Sequence, residues 1–387
     1  MAPRIKVKDK ALKRLSAGHL WVYEDEIINH KAEWDGMIVE LEGSGRQFLG
    51  QGFYSHKSKI GFRLLTKMRE GIGREFFVER IKKALEGRRE RISLESAVRL
   101  VNSEGDLLPG LIVDWYGGRI VIQCLIPGMD RLKETIADIF WQELKPSGIW
   151  FRNDATGRTL EGLKEEKFFW RGRDDPSVII KEGELKFEVN IMEGHKTGAY
   201  LDQADNRLRI SEFAQGICLD AFTFQGWFAL HLAKKAQEVI AIDSSGSALR
   251  VLEKNLGLNG IENVKPMQGN VFDILPKMEE EDLKFDLVIL DPPPFARSKK
   301  DLRSAHRGYF ELNRRALRIL KPGGILATYS CSYNFTLLMF MDLVREALSA
   351  EQRMASLLEI HSQATDHPIL LNLPESWYLK GLLLRVE

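Results

Sequence analysis

Phe285-Asp286-Leu287-Val288-Ile289-Leu290-Asp291-Pro292-Pro293-Pro294-Phe295 is an apolar, β-branched run that stops on an acid and is then stiffened by three prolines. Further on, Gly324-Ile325-Leu326-Ala327-Thr328-Tyr329 runs in the same way into Ser330-Cys331-Ser332, with the cysteine forty residues after that acid. Short continuous apolar runs bounded by turn residues are the pattern of strands buried on both faces, hence of a parallel sheet covered by helices. In such α/β sheets the carboxyl ends of the strands line the ligand crevice, so Asp291 and Cys331 are expected to project into one cleft. The prolines fix the backbone and remove N–H donors, which leaves a carboxylate and a carbonyl to offer to an exocyclic amine or a ring nitrogen. An acid and a thiol placed in this way suit attack on a base ring.

Working toward the N-terminus, Gly216-Ile217-Cys218-Leu219-Asp220-Ala221-Phe222-Thr223-Phe224-Gln225-Gly226 reads as a strand, an acid and a turn that opens a helix. A dinucleotide site would need Gly-x-Gly-x-x-Gly to lay a pyrophosphate on the helix N-terminus, and that trio is absent. Twenty-three residues after Asp220, Glu238-Val239-Ile240-Ala241-Ile242-Asp243 ends another strand on an acid that can accept from both hydroxyls of a ribose. One acid for an ammonium and one for a ribose fit S-adenosyl-L-methionine, with Gly226 expected to let the backbone approach the ligand. Asn270, after the next strand, is expected either to bond the adenine edge or simply to cap a helix.

Cys331 is a nucleophile only as a thiolate, and a free thiol near pKa 8.5 needs a cation or a helix end to lower it. Arg297, Lys299 and Lys300 are the candidate cations. From Arg297 to Arg318 eight Lys/Arg stand against Asp301 and Glu311, with Tyr309 and Phe310 between them, a composition that fits phosphate tracking with stacking as well as a solvated helix face. Phe295 is a candidate stacking partner for an unstacked base, or a core aromatic. Cys124 and Cys218 lie mid-strand among apolar residues and read as packing.

The chain has 387 residues, more than one core usually serves, so two or three domains are expected. Fifty-six Lys/Arg against 55 Asp/Glu give a net charge of +1, which excludes a uniformly basic binder and leaves only local patches. Three cysteines without paired spacing argue against a disulfide framework and a structural zinc site, so no metal and a cytoplasmic location are expected. The charged N-terminus lacks the apolar stretch of a signal peptide. Residues 322–341 carry no charge, but Gly323, Gly324, Ser330, Ser332, Asn334 and Thr336 make them a strand, a loop and a helix start rather than a membrane span. Residues 1–70 alternate short β runs with glycine, which predicts a small barrel, and the six basic residues from Arg4 to Arg14 fit a phosphate-facing edge as well as a solvated terminus. Phe77, Ile81, Ala84 and Leu85 share a face of a linker helix, and Tyr116-Gly117-Gly118-Arg119 is a hairpin turn. From about residue 178 strands alternate with helices.

Taken together, these residues resemble the class I methyltransferases of the rRNA large-subunit methyltransferase I type. The likeness runs through His19-Leu20-Trp21-Val22-Tyr23 and Gly50-Gln51-Gly52-Phe53-Tyr54-Ser55, through Asp106-Leu107-Leu108-Pro109-Gly110, and most specifically through the stretch from Gly194 to Arg207. Thr365-Asp366-His367-Pro368 and Tyr378-Leu379-Lys380-Gly381 are similar to the family's C-terminal strands. The resemblance implies a PUA β-barrel over 1–70, a central α/β domain over 71–177 and, over 178–387, a Rossmann-like domain on a mostly parallel seven-stranded sheet. It further implies an S-adenosyl-L-methionine-dependent enzyme that forms 5-methylcytosine in large-subunit rRNA with Cys331 as nucleophile and Asp291 on the base. Gln203 and Arg207 would stand near the methionine end of the cofactor, in a pocket with Asp220, Phe222, Thr223, Gly226, Asp243, Asn270 and Asp291. Pro292, Pro293, Phe295, Arg297, Lys299 and Lys300 would meet RNA. The chain departs from the family where Gln225-Gly226 replaces a pair of glycines, where Asn270 replaces an acid, and from a related branch where Pro294 replaces a second cysteine. A guanine-N7 or amino-group RNA methyltransferase without a covalent step, and an RNA-binding module without activity, remain alternatives. A membrane partner is not expected, and a homodimer is compatible with the sequence.

Overall fold

The computed structural model describes residues 3–296 and 299–387 and divides into two compact units, each drawn from separated stretches of chain. The first comprises residues 1–180, 189–201 and 365–376, and the second residues 181–188, 202–364 and 377–387.

The first unit holds two five-stranded sheets. In the N-terminal one, Arg4–Lys6 pairs parallel with Ile38–Glu42, and Phe48–Tyr54, Phe62–Thr66 and Trp21–Val22 follow antiparallel. Ile5, Val22, Val39, Leu41, Phe62 and Leu64 fill it. In the basic leading segment Arg4 meets Glu40 at 3.0 Å, Lys6 meets Glu42 at 3.9 Å, Lys10 meets Asp25 at 3.8 Å and Arg14 meets the buried Glu26 at 2.5 Å. Much of that charge is answered by carboxylates from neighbouring elements, which a count along the sequence does not reveal.

The second sheet of this unit orders Glu166–Gly172, Gly148–Asn153, Arg119–Cys124, Leu111–Tyr116 and Ala97–Asn102, with the Gly117-Gly118 turn taking positive φ at both residues. The helix expected as a linker runs from Arg74 to Glu86, and Phe77, Ile81, Ala84 and Leu85 bury its face in the core of this sheet together with Ile136 and Phe140. Phe53 of the N-terminal sheet joins the same core, and Arg63 meets Glu161 at 2.7 Å. The N-terminal sheet therefore keeps a core of its own while also contributing to that of the second sheet, with a buried ion pair between them.

Two later segments also belong to this unit, against expectation. Thr197 donates to Asp114 and lies 3.0 Å from the Tyr116 hydroxyl, while Arg99 pairs with Asp114 at 2.5 Å. Thr365-Asp366-His367-Pro368 forms a loop rather than a strand, with the Asp366 carboxylate accepting from the Arg99 amide at 2.9 Å and its carbonyl from Arg88 at 2.8 Å. A polar residue type does not show which distant carboxylate or amide it serves, so neither role was legible locally.

The second unit is a seven-stranded sheet: β1 (Ile217–Ala221), β2 (Glu238–Asp243), β3 (Val264–Gln268), β4 (Phe285–Leu290), β5 (Leu320–Ser330), β6 (Ala355–His361) and β7 (Lys380–Val386). Their spatial order is β3-β2-β1-β4-β5-β7-β6, parallel from β3 to β5, with β7 antiparallel to both neighbours. The order reverses between β1 and β4, the switch point at which open α/β sheets bind ligands. Helices Val271–Glu280, Leu302–Ile319 and Leu337–Ala350 bury Leu275, Leu312, Ala316, Leu343 and Ala347 with Leu219, Val288 and Leu326 in one core.

Candidate active site

The end of β1 and the end of β2 are tied together by the loop 222–226. Asp220 is completely buried, and one of its oxygens accepts from the Thr223 hydroxyl at 2.5 Å and the Ala229 amide at 3.0 Å. Its other oxygen, Oδ1, is buried without a hydrogen-bond partner. Burial above all, helped by Asp291 and Asp243 and opposed by its two donors, raises this carboxyl to about 7. Asp243 accepts from the Phe224 amide at 2.9 Å and the Ser245 amide at 2.8 Å, one on each oxygen.

Between these acids the backbone is strained: Phe222 has φ 71°, Phe224 φ 51° and Gly226 φ 81°. Left-handed backbone at an aromatic residue costs about 1–3 kcal/mol and persists only where its surroundings impose it. Here the Thr223 amide bonds the Ile242 carbonyl at 2.8 Å, and the acids hold Thr223 and Phe224 from either side. Gly226 also has a packing role. A Cβ there would stand 2.0 Å from Leu252 Cδ1, so the glycine serves close helix packing at a positive φ. Asn270 caps the helix Val271–Glu280, its side chain accepting from the Phe272 amide at 3.1 Å, the simpler of its two expected roles.

At the ends of β4 and β5 the register pairs Leu290 with Thr328, so both chains leave the sheet side by side. The half-buried thiol of Cys331 lies 3.8 Å from the Pro292 carbonyl, and Asp291 accepts from Gln203 Nε2 at 3.1 Å. Gln203, itself buried, is oriented by Asn206, which donates to Oε1 at 2.6 Å. Arg207, placed by sequence beside the cofactor, is buried and held by Glu182 at 2.6 Å, with its guanidinium 4.9 Å from the Trp227 ring centroid. Although burial pushes Glu182 up, Arg207 and His231 hold it down at about 2. Those groups form a structural ion-pair cluster.

Pro292 is buried and Pro293 exposed. Phe295, offered as a stacking partner for a base, is committed elsewhere: its centroid lies 4.6 Å from Tyr309 and 6.0 Å from Phe272, against the sheet core. Tyr309 is buried as well, its hydroxyl 2.8 Å from Ser332 Oγ. The basic run is also partly spoken for, because Arg314, Arg315 and Arg318 pair with Glu311, Glu279 and Glu351. Lys300, Arg303 and Arg307 are exposed, whereas Arg297 and the Lys299 side chain lie outside the described residues.

Sequence reasoning missed the buried cation of this site, Lys380. It opens β7 directly opposite Ser330, is 3 % exposed, and donates to the Ser332 carbonyl at 2.8 Å and the Tyr378 carbonyl at 2.9 Å. The available signal was a lysine leading the otherwise apolar run Gly381-Leu382-Leu383-Leu384. Among the described residues no cluster of three or more His, Cys, Asp or Glu could hold a metal, and no helix is long and apolar enough to cross a membrane.

A PUA-like domain model matches residues 5–67 and a methyltransferase domain model residues 214–376. The chain is 37 % identical to ribosomal RNA large subunit methyltransferase I of Shewanella amazonensis over the full length of both, and 37 % identical to the protein of that name in Aeromonas salmonicida over 99 % of this chain and 98 % of the relative. It belongs to the ribosomal RNA large subunit methyltransferase I family. Its fold, a PUA-like domain joined to a class I methyltransferase sheet, is shared with the crystal structure of SMU.776 complexed with SAH, at a TM-score of 0.87 and 21 % identity over 99 % of this chain and all of the other.

Proposed function

We propose that this protein is an S-adenosyl-L-methionine-dependent methyltransferase of large-subunit rRNA that forms 5-methylcytosine through a covalent adduct on Cys331. The observation that carries the base assignment is the approach of the Cys331 thiol to the Pro292 carbonyl, beside Asp291. A methyltransferase acting on an amine or on a ring nitrogen with a lone pair needs no nucleophile; C5 of a pyrimidine does, because it becomes electron-rich only after addition at C6.

The residues present fit the cofactor. Asp220 Oδ1 is a buried acceptor without a donor from the polypeptide, and a cationic ligand nearby would restore the charge that burial disfavours. The Asp243 oxygens, each bonded once, keep lone pairs for the two ribose hydroxyls. When bound, the cofactor supplies the methyl group as an electrophile.

On the protein side, the Cys331 thiolate forms a bond to C6 of an unstacked cytosine while the Asp291 carboxyl gives a proton to N3, so the displaced π electrons make C5 nucleophilic. C5 takes the methyl, the C5 proton leaves to a base, the C6–S bond breaks to return the thiolate, and N3 gives its proton back to Asp291. Gln203, donating to Asp291 at 3.1 Å, orients it. Residues 1–70 and 71–177 would bind and position RNA, and 178–387 would carry the chemistry. Lys300, Arg303 and Arg307, exposed next to the proline loop, are the side chains suited to phosphate. Trapping with RNA that carries 5-fluorocytosine at the target tests the assignment, since fluorine at C5 cannot leave as a proton does.

A further inference from the structure

We infer that Lys380 is the positioning residue that keeps Cys331 ionised, its buried ammonium acting as the counter-ion of the thiolate. The inference rests on the nucleophile assignment above and identifies what activates that nucleophile.

An ammonium out of contact with water costs several kcal/mol unless an anion compensates it. Lys380 is almost fully buried, yet its two hydrogen bonds go to neutral carbonyls, those of Ser332 and Tyr378. The first of these carbonyls is one residue from Cys331, and β7 places Lys380 opposite Ser330, so the ammonium is bound to the very turn that carries the thiol. Burial lowers the lysine to about 8, and Cys331 is the charge that opposes this effect. Among the described residues, the other titratable groups on the elements around the thiol include Asp291, beyond β4, Tyr329 of β5, and Tyr309, from the helix Leu302–Ile319, whose hydroxyl is bonded to Ser332 Oγ. Each of these is neutral or negative, and none can stabilise a thiolate by charge.

The proton balance is simple. The Cys331 S–H gives its proton to solvent and Lys380 keeps its own, so the pair is neutral as a whole and titrates as a unit. On addition to C6 the negative charge leaves the sulfur and, as N3 takes the proton, comes to rest on Asp291; on elimination it returns beside the ammonium. A thiol of lowered pKa is also the better leaving group. Lys380 therefore assists attack and release alike without touching the base.

The test is the pH dependence of iodoacetamide alkylation of the full-length protein without RNA, read by mass spectrometry on the peptide containing Cys331. Cys124 and Cys218 are buried, and burial pushes the Cys218 thiol up to about 11, so neither competes. Wild type should show a midpoint below the free-thiol value of about 8.5. Lys380→Met should raise it by at least about one unit, and Lys380→Arg should keep it low. A wild-type midpoint at or above the free-thiol value overturns the proposal even if Lys380→Met does not fold, and so does an unchanged midpoint in a folded Lys380→Met. If the proposal holds, Lys380→Met should still trap 5-fluorocytosine RNA at high pH, where the thiol ionises unaided. Absence of an adduct in wild type would instead count against Cys331 as nucleophile and leave the alkylation result standing.

Discussion

The ends of β1 and β2 and the ends of β4 and β5 belong to one sheet but are built in opposite ways. At β1 and β2 the polar work is done by backbone: three amides converge on Asp220 and Asp243, and the loop between them is held at positive φ by Thr223 and the two acids. At β4 and β5 side chains do it: Gln203 holds Asp291, Tyr309 holds Ser332, and a buried lysine grips the carbonyl after the cysteine. A cofactor gripped by its ammonium and ribose, away from the methyl it gives up, is served by a preformed cradle. Under the proposed mechanism the base is attacked and released, which needs groups whose charge can change.

If this division is real, substitutions on the two sides should fail in different measurements. The largest effect is expected at β5: Cys331→Ala and Cys331→Ser should each lower methyl transfer by at least roughly 10³-fold while leaving cofactor and RNA affinity nearly unchanged. Serine keeps size and polarity but is hardly ionised near neutrality, so substantial activity in that variant would remove the thiolate from the account. At β2 the order is reversed. Asp243→Ala should weaken S-adenosyl-L-methionine by about 1.5–3 kcal/mol, or roughly tenfold to 150-fold by calorimetry, because two hydroxyls lose a charged acceptor. Unchanged affinity would place the ribose elsewhere.

A subtler contrast lies in pH. The Asp220 carboxyl is raised from 3.8 to about 7 in the folded protein, so between those values the native state holds a proton that the unfolded chain has lost. Stability from this group is complete below pH about 4 and falls as pH rises through about 7. Thermal melts of the ligand-free protein should show that decline, Asp220→Asn should flatten it, and the cationic cofactor should oppose it. Glu182, lowered to about 2, acts in a separate window, adding stability above its ordinary value of 4.5 that is lost as pH falls toward 2. An identical pH profile in Asp220→Asn and wild type would contradict the assigned shift.

The smallest effect concerns RNA. Arg303→Ala and Arg307→Ala should each reduce the slope of log affinity against log salt by roughly 0.7–0.9 if each meets a phosphate, with no change in cofactor binding. Deleting residues 1–70 is a poorer test, because Phe53 is part of the core of the adjoining sheet and Arg63 is the buried partner of Glu161.

How far the sequence could be read follows the same contrast. Strands β1, β2, β4 and β5 were legible because burial on both faces writes continuous apolar runs, and their terminal acids and cysteine stand where the runs stop. Gly226 and Asn270 were located, yet their structural roles depend on Leu252 and on a helix start, neither of which is encoded at those positions. Phe295 and Tyr309 looked available to a base because an aromatic in a basic run carries no mark of which face it takes. Lys380 went unnoticed because its importance arises from strand pairing across 50 residues, from Ser330 to Lys380, and cation candidates were sought near the cysteine in sequence rather than in space.

The central claim is that Cys331 bonds to the base. Wild-type protein incubated with S-adenosyl-L-methionine and target RNA bearing 5-fluorocytosine should give an adduct that survives denaturing electrophoresis, and peptide mapping should locate the bond at Cys331, with no adduct in Cys331→Ala. Turnover of ordinary RNA without any such adduct, or an adduct that persists in Cys331→Ala, would contradict it.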